Sequence, residues 1–141
     1  MNRTIMAVIL AGVSSMIAVG CEDKSMVNVY DKSILAHPPG CLALSVIPEE
    51  KSIERAIRNR FDFDPKCPWR LEVKYKNDIH CNSNQNSDRK ALSAFPSSYL
   101  RMEIRRGMRM VYSYYIDLPK QADSDDAARG MRRIIDDIFD K

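Results

Sequence analysis

The stretch that decides the fold is "YLRMEIRRGMRMVYSYYIDLP", residues 99–119. A single strand of that length would be much longer than the usual β-strand. The chain is therefore predicted to turn near Gly107 and to form a hairpin of two strands, 99–104 and 108–118.

The register of this hairpin is predicted from its apolar side chains. A two-residue loop at 106–107 would mix apolar and charged residues on both faces, whereas a three-residue loop at 105–107 makes one face wholly apolar. Glycine also takes, at least cost, the left-handed conformation that the last position of such a loop requires. We therefore predict the three-residue loop, with Glu103 opposite Arg109 on the other face. The apolar pairs are then Ile104 with Met108, Met102 with Met110, and Leu100 with Tyr112.

Two further strands and a helix precede the hairpin. Residues 69–81 alternate between apolar and polar side chains, the period of a strand with one face in the core. The apolar run "CLALSVI", residues 41–47, is typical of a buried strand. Between them a helix is predicted over 48–61, with Pro48 in its first position, where the missing N–H costs nothing.

A second helix is predicted over 124–139, after the hairpin. Asp123 or Ser124 can cap its first turn. Gly130 lies inside its apolar stripe, where glycine costs helix stability unless a neighbour must come close. We therefore expect close packing of this helix on the sheet.

These elements predict an α+β fold of the two-layer sandwich type. Both helices, 48–61 and 124–139, are expected on one face of a mixed or antiparallel sheet. The sheet is expected to contain about four strands, at 41–47, 69–81, 99–104 and 108–118.

The start of the chain has the pattern of an export signal. A basic zone at Arg3 is followed by an apolar run from Ile5 to Val19, and then by small residues and charges. The run is shorter than a typical membrane-spanning helix, which disfavours a permanent anchor. The sequence at 18–21, "AVGC", resembles the lipobox of bacterial lipoproteins, although Ala18 stands where leucine is usual. A plain cleaved signal is the alternative.

The lipobox resemblance implies lipidation of Cys21, palmitate included, and a three-part chain. Residues 1–20 are then a signal peptide, 21–40 a lipidated tether and 41–141 a single domain. Within the tether, residues 26–30 are a candidate for a short strand that docks on a sheet edge. Several acyl chains on one cysteine hold a protein firmly on a membrane. The protein is expected in the bacterial cell envelope, facing the periplasm. Glu22, in place of the aspartate that usually marks inner-membrane retention, favours the outer membrane.

The remaining cysteines are predicted to supply one disulfide in this oxidising compartment. Cys67 and Cys81 flank one strand and are too far apart to bond. Parallel pairing of the first two strands favours Cys41–Cys67, and antiparallel pairing favours Cys41–Cys81. The helical crossover between these strands favours the parallel arrangement and therefore Cys41–Cys67.

No catalytic signature stands out, and we expect a non-enzymatic protein without cofactor or metal. Removing residues 1–20 takes only Arg3 from a net charge of +3 and leaves +2, so a nucleic-acid partner is not expected. The clearest binding lead is the basic hairpin, because guanidinium groups suit phosphates and carboxylates. The candidate residues for anion or lipid binding are Arg101, Arg105, Arg106 and Arg109.

The order of elements after the lipobox resembles the lipoprotein plug of the lipopolysaccharide export channel. It is also similar in outline to the auxiliary lipoproteins of lipid-transport ABC systems. The resemblance spans residues 41–139 as element order only and transfers no functional residue. It implies a membrane-tethered docking or assembly subunit with an envelope protein as partner. The alternative is binding of an anionic glycolipid, such as lipopolysaccharide, through the basic hairpin tip.

Overall fold

The hairpin lies at the centre of the sheet in the computed structural model of this chain, which describes residues 24–79 and 96–140. The strands are β1 (Met26–Val29), β2 (Ala43–Ile47), β3 (Trp69–Lys76), β4 (Ser98–Arg106) and β5 (Arg109–Leu118). The helices are α1 (Ser33–Ala36), α2 (Lys51–Arg58) and α3 (Ser124–Ile134), and a π-helical turn, Ile135–Phe139, continues α3.

The five strands form one mixed sheet in the order β1-β5-β4-β3-β2. β2 and β3 run parallel and are joined through α2, whereas the other neighbouring pairs are antiparallel. The apolar faces of α2 and α3 share one buried cluster with side chains of the sheet. The predicted α+β class and mixed sheet are therefore confirmed, with five strands rather than four.

The fifth strand comes from the segment predicted as a tether. β1 pairs with β5, so that Val27 lies opposite Tyr114 and Val29 opposite Tyr112. Both valines pack against the core, and Ile34 of α1 is fully buried. Residues 24–40 therefore belong to the folded domain rather than to a linker, and β1 is the short edge strand that the pattern at 26–30 indicates. The polar residues of this segment occupy the exposed sides of short elements whose apolar sides are buried.

The predicted hairpin register is wrong by four residues. The loop contains two residues, Gly107 and Met108, and Arg106 pairs with Arg109. Gly107 has a φ of 61°, as the first position of a type II′ turn requires. The observed apolar pairs are Ile104 with Tyr112, Met102 with Tyr114 and Leu100 with Ile116.

The position of the loop at 107–108 accounts for three of these four residues, and a β-bulge next to Ile104 and Arg105 accounts for the fourth. The bulge adds one residue to β5, which turns the following side chains back toward the core. A two-residue loop is therefore compatible with an apolar face. Glu103 consequently lies opposite Ser113 and not opposite Arg109 as predicted.

Several element boundaries also differ from the predictions. β3 ends at Lys76 rather than at 81, and Asp78 takes a φ of 55° just beyond it. Pro48 follows a cis peptide bond and precedes α2, whose N-cap is Glu50. The Glu50 carboxylate accepts a hydrogen bond from the Ser52 amide, so α2 begins later than predicted. α2 also ends at Arg58, three residues before the predicted end.

α3 packs on the sheet through the close approach predicted at Gly130. A Cβ atom at this position would lie 2.5 Å from Met102 Sδ and 3.0 Å from the Tyr114 ring. Asp123 is the N-cap and completes a capping box with Asp126. The predicted helix 124–139 is α-helical only to Ile134 and ends in the π-helical turn.

The disulfide joins Cys41 and Cys67, as the parallel pairing of β2 and β3 predicts. The two cysteines lie just before the paired starts of these strands. Their Cα atoms are 5.9 Å apart, which is within the usual range for a disulfide. Cys21 and Cys81 lie outside the described residues.

No helix within 24–79 and 96–140 combines the length and apolar character needed to cross a membrane.

Candidate functional site

The four arginines predicted as an anion site have different surroundings. Arg101 and Arg105 lie on the face of the sheet opposite the helices, whereas Arg106 and Arg109 pair with each other beside the hairpin loop. The Arg105 guanidinium also reaches the loop, where it donates to the Met108 carbonyl oxygen at 3.4 Å.

The helix-free face of the sheet holds a network of ion pairs around Glu103. This side chain is buried, and its carboxylate lies 3.1 Å from Arg101 Nε and 2.8 Å from Arg105 Nη2. Glu72 lies directly opposite Glu103 on β3, an arrangement of like charges that is destabilising unless cations flank it.

The flanking cations neutralise this acidic pair. Lys74 pairs with Glu72 and lowers the pKa of that carboxyl. The hydrogen bond from Arg105 to Glu103 raises the pKa of the guanidinium, which favours its charged form. Arg101 and Arg105 therefore stabilise the sheet and have their charge already matched.

The hairpin loop combines an exposed apolar side chain with two flanking arginines. The Arg106 guanidinium lies over the Trp69 ring, 5.3 Å from its centroid. Arg109 forms an ion pair with Asp31 at 3.2 Å. Between these arginines in the chain, Met108 is 94% exposed, the most exposed of the large apolar side chains that the described ranges contain.

Two tyrosines form a stacked pair on the helix-free face. The ring centroids of Tyr99 and Tyr115 are 5.7 Å apart. The Tyr115 hydroxyl donates to Asp117 at 2.6 Å, and this bond raises the pKa of Tyr115 to about 12. The hydroxyl is thus held as a neutral donor, and the rings act as cross-strand packing.

A cleft of about 530 Å³ lies between α2 and α3 and opens to solvent. Its cationic side chains are Arg55 and Arg60, and its one carboxylate is Asp125. The remaining lining residues are small or neutral: Ser52, Ala56, Asn59, Ser124 and Ala128.

None of the residues that line this cleft is among the binding residues predicted from the sequence. A signal was available, because Ser52, Arg55, Ala56 and Asn59 have the spacing of one helical face. That pattern indicates a small and polar face beside the buried one. It does not indicate that the first turn of α3 closes the other side, which depends on tertiary packing.

No group of three or more histidine, cysteine, aspartate or glutamate side chains is placed to hold a metal ion in the part of the chain that the structure describes.

The N-terminal segment and the hairpin loop lie toward opposite ends of the sheet. β1 is antiparallel to β5 and begins beside Tyr115, seven residues from Met108 along β5. At 3.3 Å per residue, the start of β1 is about 23 Å from the hairpin loop. The N-terminal segment therefore joins the folded domain at the end opposite the hairpin loop.

No protein-family model, curated protein or solved structure matches this chain.

Proposed function

We propose that this chain is a lipoprotein of the bacterial cell envelope that acts as a non-enzymatic docking or assembly subunit. Cys21 carries the lipid, and the hairpin loop is presented to an envelope protein partner. The observation that carries the proposal is the position of β1, whose start lies at the end of the sheet opposite the loop.

The length of the attachment supports this orientation. Four residues separate Cys21 from Met26, so the start of β1 lies within about 18 Å of the lipidated residue even when the chain is extended. A membrane-bound Cys21 therefore keeps this end of the domain near the bilayer. The hairpin loop extends away from it and is accessible to a partner.

The composition of the hairpin loop supports a protein partner. Met108 is an exposed apolar side chain at the tip, flanked by Arg106 and Arg109. Exposed methionines adapt to apolar pockets, and arginines are enriched at interfaces. The glycolipid alternative through Arg105 and Arg106 has less support, because the Arg105 guanidinium is already bound to Glu103.

Lipidation is tested by metabolic labelling of the full chain with a clickable fatty acid. We expect the label on the wild-type protein in the membrane fraction and its loss in the Cys21→Ser variant. An unlabelled wild-type chain in the cytosolic fraction would contradict the proposal.

Docking through the hairpin loop is tested by photo-crosslinking in intact cells. A photoreactive amino acid replaces Met108 in one variant and Lys120, which is exposed near the start of α3, in the control. We expect a discrete protein adduct from position 108 and not from position 120. Adducts from position 120 alone would show that the opposite end of the domain contacts the partner.

A further inference from the structure

We propose that the cleft between α2 and α3 binds a ligand through its phosphate group. The cleft is distinct from the hairpin loop and lies on the helical layer, so this inference does not depend on the docking proposal. Its volume of about 530 Å³ is within the range of small-molecule sites.

The first argument is the state of its two arginines. Three other arginines of the same helices have their charge matched by a carboxylate: Arg58 by Glu54 at 2.7 Å, Arg129 by Asp126, and Arg133 by Asp137 at 3.0 Å. Arg132, which does not line the cleft, forms no ion pair with a carboxylate of the described residues. Within residues 24–79 and 96–140, neither Arg55 nor Arg60 forms an ion pair with a carboxylate. Two guanidinium groups thus line one concavity with their donors available.

The second argument is the chemistry of the other lining groups. Asn59 offers an amide and Ser124 a hydroxyl, both of which can donate to an anionic oxygen. A guanidinium binds two phosphate oxygens at once, so two of them with neutral donors match a phosphate well. Ala56 and Ala128 leave room for the ligand because their side chains are small.

Asp125 narrows the class of ligand. Its carboxylate lines the same cleft and opposes a bare anion, which makes inorganic phosphate a weak ligand. A ligand that carries an ammonium group beside its phosphate gives Asp125 a favourable partner. Phosphoethanolamine, free or as a lipid headgroup, has this chemistry.

The test is a titration of the full chain in neutral-detergent micelles, followed by NMR of the arginine side-chain N–H signals. Three probes are used: sodium phosphate, free O-phosphoethanolamine, and phosphatidylethanolamine added to the micelles. We expect saturable shifts of the Arg55 and Arg60 signals with at least one ethanolamine probe. A response to the free compound assigns a soluble ligand, and a response to the lipid alone assigns a headgroup.

Variants with matched charge make the result specific. The double variant Arg55→Gln with Arg60→Gln should weaken binding tenfold or more, because it removes charge-assisted hydrogen bonds. The control double variant Lys66→Gln with Arg70→Gln loses the same charge outside the cleft and should bind within about twofold of wild type.

Asp125→Asn is expected to change the affinities for two of the probes in opposite directions. It should strengthen binding of inorganic phosphate and weaken binding of O-phosphoethanolamine, since it removes a repulsion in one case and an attraction in the other. The proposal is overturned if neither ethanolamine probe gives saturable shifts, or if the two double variants lose affinity equally.

Discussion

Gly130 occupies the closest approach between α3 and the sheet. Met102 Sδ and the Tyr114 ring fill the space in which any other side chain would begin. Both neighbours are fully buried, so they have little freedom to move aside. Glycine is therefore needed at this position for the close packing of α3 on the sheet, although it lowers the intrinsic stability of the helix.

Gly130→Ala is expected to lower the free energy of unfolding by about 1 kcal/mol or more. Alanine improves helix propensity by up to about 1 kcal/mol, but overpacking a core costs about 1–3 kcal/mol. Urea unfolding followed by circular dichroism measures the difference. Gly40→Ala is the matched control, because a Cβ atom there meets nothing within 4 Å, and its stability should be unchanged or slightly higher. Equal stability of the two variants would contradict the packing argument.

At the scale of one element, the N-terminus of α3 depends on Asp123. Its carboxylate accepts hydrogen bonds from the amides of Asp125 and Asp126, both at 3.0 Å. It also pairs with Lys120, and this interaction is the largest cause that lowers the pKa of Asp123 to about 2. The ionised carboxylate is thus favoured by folding.

Asp123→Ala should destabilise the protein by about 1 kcal/mol at pH 7. The folded pKa of about 2 lies below the ordinary value of 3.8, so the stabilisation is complete above pH 3.8 and is lost as the pH falls through 2. Urea unfolding at a series of pH values should therefore show the variant and the wild type converging in acid. Ser124→Ala is the control, and a larger loss from that variant would identify Ser124 as the cap.

The hairpin illustrates which parts of an element can be predicted from sequence. The alternation of Leu100, Met102 and Ile104 predicts their shared face, and all three are fully buried. The register could not be predicted in the same way. Met108 and Met110 continue the apolar alternation of β5, so that more than one pairing with β4 gives an apolar face. The two registers differ in the position of the loop and in a bulge, and the bulge leaves no distinct residue pattern here.

At the scale of the whole molecule, the Cys41–Cys67 disulfide closes a long loop that contains β2 and α2. Such a crosslink stabilises mainly by restricting the unfolded chain. For a sequence separation of 26 residues, the chain-entropy relation gives about 3.5 kcal/mol.

Replacing both cysteines by serine should therefore lower the free energy of unfolding by about 3.5 kcal/mol. Urea unfolding of the double variant and of the wild type measures this loss. Cys81→Ser is the control, because it makes the same cysteine-to-serine change outside the Cys41–Cys67 pair. The free energy of unfolding of this variant should still fall when a reducing agent is added. If Cys81→Ser removes that sensitivity, the pairing is different.

The overall architecture could be predicted from periodicity, since the helices, the sheet and the parallel pair each have a local pattern. β1 was less predictable, because its four residues gain their burial only by pairing with β5. The candidate cleft was the least predictable feature, because Arg55 and Asp125 line the same cavity only through the packing of two helices. The sequence pattern predicts the residues on each helix face, but it does not predict that the two faces pack side by side.

The pairing of β1 with β5 also has a consequence for the order in which the fold is made. Val29 and its partner Tyr112 are more than eighty residues apart, and the N-terminal strand is synthesised first. At about 5–20 residues per second, roughly 4–17 s pass before the partner strand exists. During that interval the nascent β1 has no partner strand, so its pairing with β5 cannot precede the synthesis of the hairpin.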